Sequence, residues 1–327
     1  MNDTSNTFDA TLDRHVNELG FRLELITPAD EPTMAVMSRG DEWLRLGATE
    51  GGAATIEQVT AGAIEREMVL PDLAPALVVS QANGTDETAW VTGRAGMRYR
   101  DLIPGRLGGR FIASHIEVCD GGPVPDMVHH HAIRFQMIFC HRGWVDVVYE
   151  DQGEPFRMYA GDCVLQPPHM RHKVLASSGG AQVVEIGCPA SHDTLFDYAM
   201  VLPNQSIDRE RKWGGQRFVR HIASESRWKP ARHDHFEVQH TSIAEATNGL
   251  ASVRVLRPTL DALGAALSNP GHNGEFWFTF VLDGSATLAI GSTVAHLVAG
   301  DAVTIPADQA WELADTSAEL QLLEVVL

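Results

Sequence analysis

The chain has 327 residues, 44% of them hydrophobic and 21% charged, a make-up that fits a folded protein of roughly two domains and not a disordered chain. Lys and Arg total 25 against 43 Asp and Glu, for a formal charge of −18; so acidic a surface repels phosphate backbones and anionic lipid, which argues against nucleic acid or a membrane as partner. No apolar run approaches the roughly 20 residues of a membrane helix, and the first 20 residues carry neither signal-peptide nor transit-peptide features, so a cytoplasmic location is expected.

Taken in chain order, residues 1–20 are expected to form an amphipathic helix, because Phe8, Leu12, Val16 and Leu19 recur at helical spacing before Gly20. From Gly40 onward the chain changes to short apolar and β-branched runs punctuated by Gly, Pro and Asp, as in LVVSQANGTDETAWV and RFIASHIEVCDGGPVPD. That pattern predicts an all-β protein. Cys119, Cys140, Cys163 and Cys188 lie in strand-like segments with no CxxC pairing, the expectation for reduced, buried thiols. The stretch SHDTLFDYAMVLPNQSIDRERKWGGQRF is charged and broken by Pro203 and Gly214-Gly215. It places a linker over 191–215, with a short helix expected at 191–200, between one unit over 21–190 and a second over 216–327.

The two units share one skeleton. FQMIFCHRGWVDVVYED leads to YAGDCVLQPPHMRH, and FWFTFVLDGSATLAIG leads to VAGDAVTIPADQAW. Gly161 and Gly300 precede Pro167 and Pro306 by 6 positions, and precede His172 and Trp311 by 11, in both copies. Equal offsets across a Gly-Asp, an apolar strand and a Pro argue for duplication of one fold unit.

In the first copy His129-His130-His131 stands between the turn-rich GGPVPD and an apolar strand. Strand alternation lets His129 and His131 point one way and His130 the other. A hairpin then returns the chain so that His172 falls beside the pair. The histidine triplet, Gln136, Gly143, Gly161, Pro167 and His172 together resemble the cupin superfamily over about residues 100–327, and specifically its bicupins. The resemblance implies two double-stranded β-helix (cupin, jelly-roll) barrels. It also implies one divalent metal per chain, bound by His129, His131 and His172, with the family's usual glutamate ligand falling on Gln136.

A neutral amide at that position leaves the ion its full charge, from which an anionic or enolising substrate is expected. Gln136 is expected to orient a water or substrate without touching the ion, and Arg134, of the same strand parity, to face a substrate carboxylate. The odd spacing of His131 and Gln136 requires a bulge or bend between them. In the second copy Trp277 takes the place of Gln136 and Trp311 that of His172, so that only His272 remains near the paired histidines and the barrel is expected to hold no metal. His233, His235 and His240 lack the rest of the pattern, and His169, close to His172, is the remaining candidate for the cavity mouth.

Three histidines with open coordination positions suit metal catalysis better than a closed structural site. The arrangement is similar to the gentisate and salicylate dioxygenase group, in which Fe(II) holds substrate oxygens and O₂ together while a carbon–carbon bond is broken. The resemblance therefore implies a dioxygenase acting on a small oxygenated molecule, with Gln136 and Arg134 in its site and Fe(II) as the metal. Two alternatives stay open: a redox-neutral isomerase, lyase or decarboxylase using Zn, Ni or Mn, and a non-catalytic metabolite-binding protein. A homodimer is the expected assembly.

Overall fold

The computed structural model describes residues 7–82, 89–93, 97–259 and 264–327. Residues 1–6 of the expected N-terminal helix, and 83–88 of the LVVSQANGTDETAWV segment, lie outside them. The helix Phe8–Asp13 passes into a π-helical turn at Arg14–Glu18. Phe8 packs with Ile26, Met37 and Leu46, and Leu12 and Val16 lie against the same cluster, so its apolar stripe covers the outermost strands of the first barrel.

The molecule is all-β in architecture, built as two barrels of paired antiparallel sheets. In the first, one sheet runs from Phe156–Tyr159 through Trp144–Tyr149, His172–Ser177, His129–Ala132 and Asp193–Phe196 to four strands of the N-terminal segment. The facing sheet centres on Phe135–Arg142, between Cys163–Leu165 and Ala181–Cys188. The second barrel repeats this plan. Leu267–Asn269, Trp311–Ala314, Ser285–Ile290 and Thr293–Val298 form one sheet, and Trp277–Asp283 lies between Ala302–Thr304 and Gln321–Val326 in the other.

Alternation explains the long apolar runs FQMIFC and FWFTFV. Gln136, Ile138 and Cys140 face into the first barrel, while Phe135, Met137 and Phe139 share one core with Phe276, Phe278 and Phe280 of the second. Phe111 stacks on Phe276 across this junction with ring centroids 4.3 Å apart. Truncating either ring would cost about 3–5 kcal/mol.

The expectation of a short helix at 191–200 within the linker is corrected by the structure. Asp193–Phe196 is a strand, seated between His129–Ala132 and Arg22–Thr27. Its β-branched and aromatic residues find two strands needing a partner, and a pleated edge outcompetes a single helical turn. The barrels also exchange strands. Val78–Ser80, which follows the four N-terminal strands of the first barrel, pairs with Ala302–Thr304 of the second, and Val219–His221, ahead of the second, pairs with Cys163–Leu165 of the first.

The repeated Gly-Asp serves this exchange. Gly161 and Gly300 both have φ 95°, a backbone that other residues rarely adopt. Each following carboxylate then caps its own hairpin and takes the exchanged arm: Asp162 accepts from the Tyr159 and Ala223 amides, Asp301 from those of Val298 and Ala82. All four cysteines are free; three are buried, but Cys119 is exposed on the turn beyond its strand, which corrects the expectation for that thiol. Among the described residues no helix is long and apolar enough to cross a membrane.

Candidate metal centre

His129 and His172 are direct cross-strand partners, and His131 stands two residues along the same strand. All three are buried, and one ring nitrogen from each lies within 4.8 Å of the others. Ring centroids are 4.3 Å apart for His129 and His172, and 5.2 Å for the other two pairs. Among the described residues this is the one group of three or more His, Cys, Asp or Glu side chains so arranged. His233, His235 and His240 form no such group.

The far side of each ring is held by the fold. His129 donates from Nδ1 to the Met127 carbonyl (2.7 Å), and His172 from Nδ1 to that of Met170 (3.0 Å). His131 Nδ1 lies 3.0 Å from Thr194 Oγ1, on the strand that was expected to be linker. Donation from Nδ1 leaves Nε2 as the lone-pair nitrogen, and tying the rings through their back atoms sets their orientation. Buried Asp126 supports the arrangement: one carboxylate oxygen is 3.5 Å from His129 Nδ1, and the other accepts from the Val174 amide. Oriented imidazoles of this kind could hold a divalent metal.

His130 turns away, as alternation requires. Its Nδ1 lies 3.4 Å from that of His169, which therefore contacts the outer face and is absent from the cavity wall. Burial, with Arg171 and His169 nearby, lowers the His130 pKa to about 3.

The triad opens into a cavity of about 150 Å³ inside the first barrel. Two residues along a strand take its wall from polar to apolar: Gln136 to Ile138, His172 to Val174, Glu185 to Val183. Gln136 reaches the wall because the chain leaves the first sheet at Ile133-Arg134 and enters the second. The odd spacing from His131 is thus a change of sheet. Gln136 Nε2 donates to Glu185 Oε1 at 2.6 Å, and since a carboxylate only accepts, this assigns the amide's orientation. The amide oxygen, Oε1, is buried without a protein partner.

Arg134 does not join the site. Its guanidinium donates to Glu275 of the second barrel at 3.1 and 3.2 Å, beside Arg110, which binds the same carboxylate. This inter-barrel pairing replaces the expected contact with a substrate carboxylate. Parity places Arg134 and Gln136 on one face only if the strand continues, and it is interrupted between the sheets.

Sequence reasoning missed Glu185, His192, Thr194 and Tyr149. His192 packs edge-on against His131 with centroids 5.3 Å apart, and burial lowers its pKa. Tyr149, opposite His172 in register, receives a hydrogen bond from Gln166, and burial drives its pKa up. Cys140 also lines the wall, but burial pushes its thiol up to about 12, which makes it inert at neutral pH. A signal for Glu185 was present: it and Glu324 are lone acids in the apolar strands AQVVEIGC and QLLEVV.

In the second barrel the equivalent volume is filled. Ile305 N bonds Trp277 O as Gln166 N bonds Gln136 O, and Asp308 N bonds His272 O as His169 N bonds His131 O. Trp277 thus occupies the Gln136 position and His272 that of His131. Trp311 takes the place of His172, paired with Asn269. The two indoles meet at 5.7 Å, and His272 is spent on the Ile305 carbonyl.

No protein-family model matches the chain, and no curated protein matches it. Solved structures match its fold over most of its length. One is a putative glyoxylate-induced protein from Pseudomonas aeruginosa, 14% identical, covering 80% of this chain and 93% of its own, with a TM-score of 0.54. Another is YlbA from E. coli, at 11% identity, 82% and 98% coverage and a TM-score of 0.53. A third is a variant of salicylate 1,2-dioxygenase from Pseudoaminobacter salicylatoxidans in complex with gentisate, at 16% identity, 81% and 85% coverage and a TM-score of 0.55. The fold is that of a bicupin. At these identities the likeness concerns architecture, and the chemistry rests on the site itself.

Proposed function

We propose that this bicupin is a metal-dependent dioxygenase that cleaves a small oxygenated substrate at one ion held by His129, His131 and His172, with Fe(II) as the metal. The observation that carries the reading is three buried imidazoles, two of them held through Nδ1 at backbone carbonyls, facing a cavity with an amide where a carboxylate ligand would reduce the ion's charge. A divalent ion held there would polarise a substrate oxygen and, as Fe(II), would give access to O₂. The chain's own residues do the rest. The apolar wall excludes bulk water, Gln136 presents Oε1 toward a bound water or substrate donor, and Glu185 keeps that amide from turning over.

The test is metal analysis of protein purified without added metal, followed by oxygen uptake with a panel of small oxygenated compounds. Stoichiometric O₂ consumption by Fe(II)-loaded protein, lost in His172→Ala and in the Zn-loaded form, is the expected result. Equal turnover under anaerobic conditions would overturn it. That outcome would favour a redox-neutral isomerase or lyase, a second reading supported by Glu185, whose carboxylate in the cavity wall is suited to accept a substrate proton.

A further inference from the structure

Valine and leucine differ by one methylene, and at three matched registers the first barrel has the smaller of the two. Val147 pairs with Val174 as Leu288 pairs with Leu313, and Cys140 pairs with Val183 as Val281 pairs with Leu322. In the second barrel the three leucines are buried in one apolar cluster with Trp277 and Trp311. In the first, the valines line the cavity, and Val174 and Val183 stay only partly buried although their strands lie inside their sheets; Ile138 does the same. The fold unit therefore accepts side chains that fill this layer, and in the first copy it carries shorter ones.

The space this leaves belongs to the same cavity as the histidines. Val147 and Val174 stand two residues beyond Tyr149 and His172, so the apolar layer begins about 7 Å along the strands from the histidine layer. Ile116 lies opposite Val183, and among the described residues Val145 and Met158 extend the apolar wall further. A cavity of about 150 Å³ is of the size that holds a benzene-sized body in a protein core. A molecule bound to an ion at the histidines and long enough to reach this layer would bury apolar surface there, at about threefold to fourfold in affinity per methylene.

We propose that the substrate carries, beside the oxygens that meet the ion, an apolar group of up to about six carbons, and that Val147, Val174 and Val183 set the length that group can have. This deepens the reading above and rests on its metal site, not on the use of O₂. The ion governs which head binds, and the valines govern which tail.

Alkyl hydroxamates chelate a divalent ion through two oxygens, so acetohydroxamate and hexanohydroxamate serve as the probes, titrated calorimetrically into the full chain with and without added Zn. Hexanohydroxamate, longer by four methylenes, should bind the Zn-loaded protein at least about thirtyfold more tightly. A triple variant, Val147→Leu, Val174→Leu and Val183→Leu, installs the side chains that the second barrel packs at these registers. It should cut the ratio to about threefold or less, with acetohydroxamate affinity and metal content unchanged. Val183→Thr, which keeps the shape but adds a hydroxyl, should lower the ratio about threefold. Equal binding of the two probes by the unaltered chain, or a ratio untouched by the three leucines, would overturn the proposal. The two readings fail separately: a length dependence that persists in a chain that takes up no Zn would remove the metal-dependent reading alone, and one bound ion without length dependence would remove this one alone.

Discussion

The two barrels use the same hairpins, the same Gly-Asp caps and the same sheet order, yet one has a cavity beside three histidines and the other has two buried indoles at the matched positions. The difference lies in a few side chains at matched registers. Where the first barrel has Gln136, His172 and Ser114, the second has Trp277, Trp311 and Arg254. Two indoles close the space that imidazoles and an amide leave open, and one guanidinium turns a cavity carboxylate into half of an ion pair. The second copy packs against the first across the shared phenylalanine core.

The largest contrast is expected in metal content. His172→Ala should abolish nearly all metal binding, because two imidazoles remain from a set of three, whereas His272→Ala should leave about one ion per chain. Metal analysis after dialysis reads both, and equal losses would mean that the second barrel takes part in metal binding.

A smaller effect, on stability, should run the other way. Arg254→Met strands the Glu324 carboxylate, which burial already pushes above its ordinary pKa. Removing one partner of a buried pair costs roughly 3–5 kcal/mol, and Arg254, with 27% side-chain exposure, should fall toward the lower end. Glu185→Gln should cost far less, because a neutral amide can still meet Gln136. Urea unfolding of both variants measures the difference, and equal midpoints would break the comparison between the two carboxylates.

The smallest effect concerns the junction. His115 and His141 are buried there, with His141 Nδ1 3.2 Å from His115 Nε2 and His141 Nε2 3.1 Å from the Leu282 carbonyl of the second barrel. Burial lowers His115 to about 3, helped by His141, Arg100 and Arg142. Burial also lowers His141 to about 4, against the pull of the Leu282 carbonyl. The fold thus favours their neutral forms. Their contribution is fully present above the ordinary histidine pKa of about 6.5 and is lost as pH falls from there toward 3–4, since the unfolded chain binds the extra protons. The melting temperature should drop between pH 7 and 5, and a His115→Gln, His141→Gln double variant should flatten that slope. An unchanged slope would show that the junction is not where acid acts.

Much of this was legible in the sequence because it is local. A glycine that must adopt positive φ, an aspartate that caps the turn beside it, and two histidines on one strand face leave marks at fixed spacings, and those marks repeat when the unit is duplicated. Three things could be decided only by the tertiary structure. Parity assigns faces within one strand, so the crossing between sheets at Ile133-Arg134 hid that Arg134 leaves the cavity for Glu275. Strand exchange joins segments more than 200 residues apart in sequence, Val78–Ser80 with Ala302–Thr304, through backbone hydrogen bonds that carry no residue code. What stands beside a lone glutamate in an apolar strand depends on the residue across the sheet. Here that is Ser114 for one and Arg254 for the other, and only the register brings each beside its carboxylate.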